Sequence, residues 1–234
     1  KKNKTKCWIA YQNRHNKSLV KLKKEIDRNS LGKINFVDAI LLWHRNHKYY
    51  NSKWRGKYKS DGGVLANQAI HLLDALVYVF GPIEKFNVVA GFNKKKLQAE
   101  DLICINFVHY NKLITSLKAT TRANQDYRVA IDVIGEKNRV VIEGISLNTY
   151  NYFKKKKLLE DKLNSEKFSL GLGPVSGMGN GHKKILQEFM NKKIKRSSKE
   201  LEIKNNYYLL KLIHSIYNVI NKKNNLDKIK NIQS

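Results

Sequence analysis

Three polar residues in the stretch GGVLANQAIHLLD, residues 62–74, have the types and spacing of a reaction site. On a helix of about 3.6 residues per turn, Asn67, His71 and Asp74 stand at positions i, i+4 and i+7, so Asn67 and His71 share one face. A histidine placed in this way can exchange a proton with a ligand, because its usual pKa lies near neutrality. The alternative on spacing alone is a core histidine with its hydrogen bonds satisfied.

Two glycines open this stretch. Gly62 and Gly63 are expected to let the backbone approach a ligand closely at the start of a helix, where the helix N-terminus favours an anionic or oxygen-rich group. Just upstream, Trp54 and Arg55 offer a flat apolar face beside a fixed cation. The pattern therefore predicts either the wall of a substrate site or a capped helix in a core.

The rest of the chain predicts an α+β protein in which an open, mainly antiparallel sheet carries helices on one face. A strand is expected at CWIAYQNR (7–14), a helix at 18–29, a strand at 34–45 and a helix that carries His71 to a stop near Gly81. Short connections between the later strands favour antiparallel pairing. Those strands are predicted at 84–92, 101–110, 112–121, 127–135 and 138–144, and the closing helices at 182–193 and 205–223.

The composition is that of a globular protein. The 234 residues are 41% apolar, yet no apolar run approaches the roughly 20 residues that a membrane span needs, and the N-terminus has no signal-peptide pattern. We therefore expect a cytoplasmic protein without a membrane partner. Cys7 and Cys104 lie in apolar runs and have no zinc-type spacing, so they are expected to be buried free thiols, and no metal site is expected.

A net charge of +27 raises the question of a nucleic-acid partner. The excess is mostly lysine and accompanies abundant asparagine and isoleucine, a bias that AT-rich coding produces without selection for phosphate binding. The clearest basic run, 154–157, follows Tyr150, Tyr152 and Phe153 and could contact nucleic acid, but a solvated loop is the plainer interpretation. We therefore expect no nucleic-acid partner.

The stretch at 54–84 resembles the signature of the C-terminal domain of the Gfo/Idh/MocA oxidoreductases, the glucose-fructose oxidoreductase and inositol dehydrogenase family. That signature joins Trp-Arg-Gly, a Gly-Gly pair, and Asp or Asn followed four residues later by His, here Asn67 and His71. Other segments agree in order and extend the resemblance over essentially the whole chain. They are TKCWIAYQNR with the family's arginine at Arg14, NSLGKI, GEKNRVVIEG and the two closing helices.

The resemblance implies roles for individual residues. His71 would exchange a proton with a substrate hydroxyl, and Asn67 would orient the substrate or the histidine. The form in which Asn is followed by Gln-x-Ile-His resembles that of nucleotide-sugar and related sugar dehydrogenases. The further residues that the resemblance assigns to substrate binding are Arg14, Trp54, Arg55, Gln68 and His182.

The sequence departs from the family by lacking a nucleotide-binding half. It has no G-x-G-x-x-G after a strand and no Glu-Lys-Pro, and the glycines of GLGPVSGMGNGH (171–182) fail the fingerprint, so this segment is predicted to be a loop that could act as a substrate lid. Residues 1–14 are expected to be the last strand of the missing nucleotide-binding domain. Residues 15–234 are expected to form the substrate-binding and oligomerisation domain.

Two functions remain open at this point. The first is the substrate-binding half of an NAD- or NADP-dependent dehydrogenase that oxidises a secondary hydroxyl of a sugar or nucleotide sugar, with the dinucleotide held by the missing domain. It would form a homodimer or homotetramer through the sheet, whose second face needs a cover. The second is a non-catalytic binding or assembly protein that keeps the fold without the cofactor domain.

Overall fold

The structure is a computed structural model that describes residues 7–93, 97–154, 157–159, 181–190 and 206–222. A 3-10 helix at Gln12–His15 precedes the first α-helix. The α-helices are α1 (Lys17–Asp27), α2 (His47–Tyr50), α3 (Val64–Asn67), α4 (Ile70–Phe80), α5 (Gly181–Met190) and α6 (Tyr207–Lys222). The strands are β1 (Ile34–Leu42), β2 (Ile83–Gly91), β3 (Leu102–His109), β4 (Ile114–Thr120), β5 (Arg128–Gly135), β6 (Asn138–Glu143), β7 (Thr149–Lys154) and β8 (Lys157–Leu159).

The strands form one open sheet in the order β2-β3-β4-β1-β5-β6-β7-β8. Among the strands that the structure describes, only β1 and β4 pair in parallel, and the other neighbours are antiparallel. Strand β1 is inserted between β4 and β5, so the loop that follows it leaves from the middle of the sheet. The predicted α+β class and the mainly antiparallel sheet are confirmed.

The core lies between the sheet and the helices on one of its faces. Alternate residues of the central strands, such as Val37, Ala39 and Leu41, are fully buried against helix residues such as Leu22 and Leu76. This alternation is the period-2 pattern of a strand with one covered face. The helical spacing predicted for residues 18–29 is also confirmed, and Asn29 ends that segment with a φ of 55°.

Two parts of the chain differ from the sequence prediction. Residues 12–15 form a 3-10 helix where a strand was expected, and Trp8 is a single bridge residue. The aromatic-basic segment expected to be a solvated loop instead supplies strand β7, because β6 offers a free edge with which residues 149–154 pair in register. Tyr150 consequently lies fully buried in the core.

None of the helices that the structure describes covers the second face of the sheet. It carries the exposed apolar residues Val89, Ile114 and Ile134 together with ion-paired charges. Cys104 points to this face and is exposed, as is Cys7, so the prediction of buried thiols is wrong. Cys104 is exposed because the register of β3 places it beside Val89 and Lys118 on the uncovered face of the sheet. Within the described residues, no helix is both long and apolar enough to cross a membrane.

Candidate functional site

A cleft of about 560 Å³ lies where the end of β1, the α3–α4 turn and the start of α5 come together. A volume of this size is typical of small-molecule sites, which span about 300–1,000 Å³. Five of the seven residues singled out from the sequence line it, namely Arg55, Asn67, Gln68, His71 and His182. The structure thus brings together residues that are up to 127 positions apart in the chain (182 minus 55).

The helix that carries His71 is broken. α3 ends at Asn67, residues 68–69 form a turn, and α4 begins at Ile70, so the continuous helix that the sequence predicted does not form. Both Asn67 and His71 nevertheless line the cleft, while the apolar residues of α4 face the sheet. The predicted stop of this helix at Gly81 is confirmed, and Gly81 has a φ of 93°.

His71 is mostly buried at the cleft wall. Its Nδ1 atom is buried and has no hydrogen-bond partner among the described residues. Burial, with a smaller contribution from the nearby His182, lowers the pKa of His71 from 6.5 to about 4. The ring is therefore neutral at pH 7 and has a lone pair that can accept a proton. The sequence argument had assumed a base of pKa near 7; burial of an imidazole without a carboxylate partner explains the difference.

Asn67 and Gln68 are held in place by hydrogen bonds. The Asn67 side-chain nitrogen donates to Asp61 Oδ2 at 2.8 Å, and Gln68 Nε2 donates to the Tyr49 hydroxyl at 3.0 Å. Each bond engages one of the two N–H groups of the amide and fixes the orientation of the side chain. The amide oxygens are therefore the groups with which these two side chains could accept a hydrogen bond from a hydroxylated ligand.

His182 enters the cleft from the first turn of α5. Gly181 packs against the 3-10 helix so closely that a Cβ would stand 2.2 Å from the carbonyl oxygen of Gln12. A glycine is therefore required for α5 to begin at this place. The Nδ1 atom of His182 is buried and has no hydrogen-bond partner among the residues that the structure describes. The predicted lid at 171–180 lies outside the described residues.

The two glycines before α3 serve a contact within the protein. A Cβ on Gly63 would overlap the Glu100 carboxylate, and one on Gly62, whose φ is 71°, would stand 2.8 Å from the Tyr217 hydroxyl. The amides at this helix start are already bonded: Gly63 donates to Tyr217 at 3.0 Å and Leu65 to Glu100 Oε1 at 3.0 Å. The expectation that this turn approaches a ligand is therefore wrong, because Glu100 and Tyr217 occupy the position.

Arg14 and Trp54 are not among the residues that line the cleft. The Arg14 guanidinium lies against the buried Asp74, with Nη2 at 2.5 Å from Oδ1, and also donates to Asn206 at 2.9 Å. Burial raises the pKa of Asp74, and the bonds from Arg14 oppose that effect. Asp74 therefore pairs with Arg14 and not with His71.

Sequence reasoning missed several residues of the cleft wall. They come from the end of β1 and the loop after it, from the 3-10 helix and from the loops flanking β5 and β6. The polar residues among them are Gln12, Asn13, His44, Arg45, Asn46, Tyr49, Asp126 and Ser146. His44 and Tyr49 belong to the segment that follows β1. Their position after a central strand could have indicated a site, because loops at such places commonly carry binding residues.

The described residues do not fit a dinucleotide. No glycine-rich turn lies between a strand and a helix of a βαβ unit, and the amides before α3 are already bonded to Glu100 and Tyr217, so they cannot hold a diphosphate. In the part of the chain that the structure describes, no three side chains of the metal-binding types lie together. The cleft is instead suited to a neutral or anionic ligand rich in hydroxyl groups.

Comparisons with known proteins agree with this architecture. A family model described as the GFO/IDH/MocA C-terminal domain matches residues 19–141. A search of curated proteins finds no match.

Among solved structures, the fold is similar to that of two WlbA dehydrogenases, each crystallised with NADH and UDP-GlcNAcA. The enzyme from Bordetella pertussis is 24% identical, with a TM-score of 0.75 over 94% of this chain and 63% of its own. The one from Chromobacterium violaceum is 23% identical, with a TM-score of 0.77 over 95% of this chain and 62% of its own.

An inositol dehydrogenase homologue from Azotobacter vinelandii, crystallised with NAD+, is 14% identical, with a TM-score of 0.70 over 88% of this chain and 61% of its own. The chain thus spans less than two thirds of the length of these structures. Since the family model covers more than half of the sequence, the chain belongs to the GFO/IDH/MocA family and contains its C-terminal domain.

Proposed function

We propose that this chain is the substrate-binding part of an NAD- or NADP-dependent dehydrogenase that oxidises a secondary hydroxyl of a sugar or nucleotide sugar to a ketone. The observation that carries the proposal is the neutral His71 ring in the wall of a cleft that also contains Asn67, Gln68 and His182. The two family members from Bordetella and Chromobacterium were crystallised with a nucleotide sugar, which supports the substrate class.

His71 supplies the proton-accepting group in this proposal. Oxidation of an alcohol requires the hydroxyl proton to leave as hydride leaves the carbon, and a positioned histidine contributes roughly 10²- to 10⁴-fold to such a step. At pH 7 the buried ring is in the form that can accept this proton. Asn67 and Gln68, fixed through Asp61 and Tyr49, orient the sugar by accepting hydrogen bonds from its other hydroxyls.

The hydride acceptor is a nicotinamide, which a nucleotide-binding domain outside this sequence would hold. Nicotinamide dinucleotides accept hydride from alcohols, and this chain would present the sugar carbon to that ring. The described residues bind the substrate and hold its proton acceptor. They also exclude water from His71, which lies mostly buried.

The open face of the sheet is the proposed contact between subunits. Val89, Ile114 and Ile134 lie exposed on it, whereas the opposite face is covered by helices. A homodimer or homotetramer joined sheet to sheet would bury these residues. Its interface should exceed about 2,000 Å², the range of obligate dimers. Light scattering of the purified chain tests this, and a monomer at micromolar concentration would count against it.

The experiment that tests the enzymatic proposal uses the protein joined to its nucleotide-binding domain. We expect His71→Ala to lower the turnover of a sugar substrate by roughly 10²-fold or more, followed as formation of reduced nicotinamide. The matched control is His214→Ala, which removes an exposed histidine from α6. Equal turnover in the two variants would refute the role of His71. Tight sugar binding without turnover in the unaltered protein would favour the non-catalytic alternative.

A further inference from the structure

The Arg55 guanidinium is a half-buried cation of the cleft wall. Its carbon Cζ stands 4.0 Å from the centre of the Tyr49 ring and 4.8 Å from that of Trp54. Its Nη1 donates to the Tyr49 carbonyl oxygen over a long 3.4 Å, and its Nε is buried without a hydrogen-bond partner among the described residues. The aromatic rings thus fix the plane of a charged group that still has donors to offer.

Four other arginines of the described chain contact a carboxylate, whereas Arg55 contacts none among the described residues; Arg28 and Arg128 are exposed to solvent. The carboxylate pairs are Arg14 with Asp74, Arg45 with Asp126, Arg122 with Asp101 and Arg139 with Asp132. A charge that is partly removed from water without an opposite charge is costly. A site that keeps such a charge is therefore arranged for a partner that arrives with the ligand.

The balance of charges in the cleft also indicates Arg55 as the group that attracts an anion. Of the charged residues that line the cleft, Arg45 and Asp126 neutralise each other at 3.1 Å, which leaves the charge of Arg55. The backbone amides at the start of α3 are the other groups nearby that could attract an anion. These amides already bond to Glu100 and Tyr217, so an anion cannot bind there. An anionic group in this cleft is therefore drawn to Arg55.

We propose that Arg55 is an anion subsite of this cleft, which binds a phosphate or carboxylate group of the same molecule whose hydroxyl meets His71. This inference rests on the proposed function and narrows its substrate to an anionic sugar derivative. A guanidinium binds either anion through two parallel N–H···O bonds, a geometry that lysine cannot supply. The anion could be the diphosphate of a nucleotide sugar or the carboxylate of a sugar acid.

There is room for a ligand larger than one sugar ring. A second cleft of about 440 Å³ adjoins the first and shares His44, Arg45 and Asn46 with it. Its other walls include Tyr50 and Arg122. A molecule that places a hydroxyl at His71 and an anion at Arg55 could therefore extend into this second cleft, as a nucleotide sugar would.

The test is isothermal titration of the purified chain and of Arg55→Gln with UDP, glucuronate, neutral N-acetylglucosamine and NAD+. A charge-assisted hydrogen bond contributes about 1.5–3 kcal/mol, so Arg55→Gln should raise the Kd of the bound anion by roughly 10- to 100-fold. The Kd of N-acetylglucosamine should change by less than about threefold. Arg28→Gln, which removes an exposed arginine at the end of α1, away from the cleft lining, is the matched control.

The titrations with UDP and with glucuronate distinguish the two possible identities of the anion. Loss of UDP affinity alone identifies a nucleotide sugar, and loss of glucuronate affinity alone identifies a sugar acid. The proposal is overturned if Arg55→Gln leaves both affinities unchanged, if neither anion binds the unaltered chain, or if NAD+ is the only anion that depends on Arg55. Should Arg55→Gln fail to fold, Arg55→Lys decides: an unchanged Kd for both anions overturns the subsite, because lysine lacks the fork geometry.

The result for the Arg55 subsite can also be distinguished from the result for the proposed dehydrogenase function. Failure of the anion subsite with normal N-acetylglucosamine binding leaves the dehydrogenase proposal intact. Loss of turnover in His71→Ala supports that proposal whatever Arg55 does. Conversely, normal turnover in His71→Ala would refute the dehydrogenase role of His71, while Arg55-dependent UDP binding would still establish the subsite.

Discussion

Gly63 lies closer to Glu100 than any side chain at position 63 would permit: an added Cβ would stand 2.1 Å from Glu100 Oε2 and 2.2 Å from the Glu100 carbonyl oxygen. The Val64 amide donates to that same carbonyl at 2.8 Å. This contact ties the turn before α3 to the segment that enters β3. It therefore helps to hold Asn67 and His71 at the cleft.

Gly63→Ala should destabilise the protein by more than Gly91→Ala. The first change forces a methyl group into backbone and carboxylate atoms, and overpacking of this kind costs about 1–3 kcal/mol or more. The methyl group of the second would first meet the flexible Arg122 guanidinium at 3.2 Å and Leu102 Cβ at 3.4 Å, at a position without a positive φ, so it should change stability by less than about 1 kcal/mol. Urea denaturation of the two variants measures the difference. Equal losses would mean that the turn moves freely away from Glu100.

Glu100→Gln should remove a pH dependence of stability. Burial raises the pKa of Glu100 from 4.5 to about 7, so between these values the folded state binds the proton and the unfolded state does not. The contribution of Glu100 is fully present below pH 4.5 and is lost as the pH rises through about 7. This corresponds to about 3 kcal/mol, since one pKa unit is about 1.4 kcal/mol.

Glutamine mimics the protonated acid, so Glu100→Gln should gain stability relative to the unaltered protein as the pH rises from 4.5 to 8. Urea midpoints at a series of pH values measure this difference. Tyr58→Phe is a control nearby, because the pKa of Tyr58, raised by burial to about 12, lies outside the range tested. A difference that stays constant with pH would show that Glu100 does not titrate in this way.

His71→Gln should reveal a pH dependence of stability whose sign is opposite to that of Glu100. The folded-state pKa of about 4 lies below the unfolded value of 6.5, so the unfolded state binds more protons between them. The unaltered protein should therefore lose up to about 3 kcal/mol relative to His71→Gln as the pH falls from 6.5 to 4. The same series of urea midpoints, with His214→Gln as the exposed control, tests this. Parallel curves for His71→Gln and the unaltered protein would contradict the burial argument.

Arg14 and Asp74 should behave as a buried pair. Removing one partner leaves the other charge uncompensated, so Arg14→Met and Asp74→Leu should each cost about 3–5 kcal/mol. The double variant should cost much less than the sum, and a double-mutant cycle of urea denaturations measures the coupling. Additive losses would show that the pair is not coupled. Because neither residue lines the cleft, sugar affinity should stay within about threefold in the folded variants.

Much of the fold was predictable because its signals are local. β1 to β6 are short runs rich in β-branched and other apolar residues, and α1 and α4 show helical spacing with an Asn or Gly stop. Strand β7 was missed because it runs into the basic stretch 154–157, which favoured a solvated loop, although its tyrosine, phenylalanine and threonine residues suit a strand. In the fold it pairs with the adjacent strand β6 in an antiparallel hairpin closed by residues 144–148.

The amino-acid sequence by itself determined most of the elements and the mainly antiparallel class. It also determined the group of Asn67, Gln68 and His71, since these lie within one short segment. Only the tertiary structure decided which distant residues join them. It brought His182 and Arg55 to the same cleft and turned Arg14 toward Asp74. The physical reason is that partners of a buried polar group are chosen by packing across the sheet and helices, where separation along the chain carries no information.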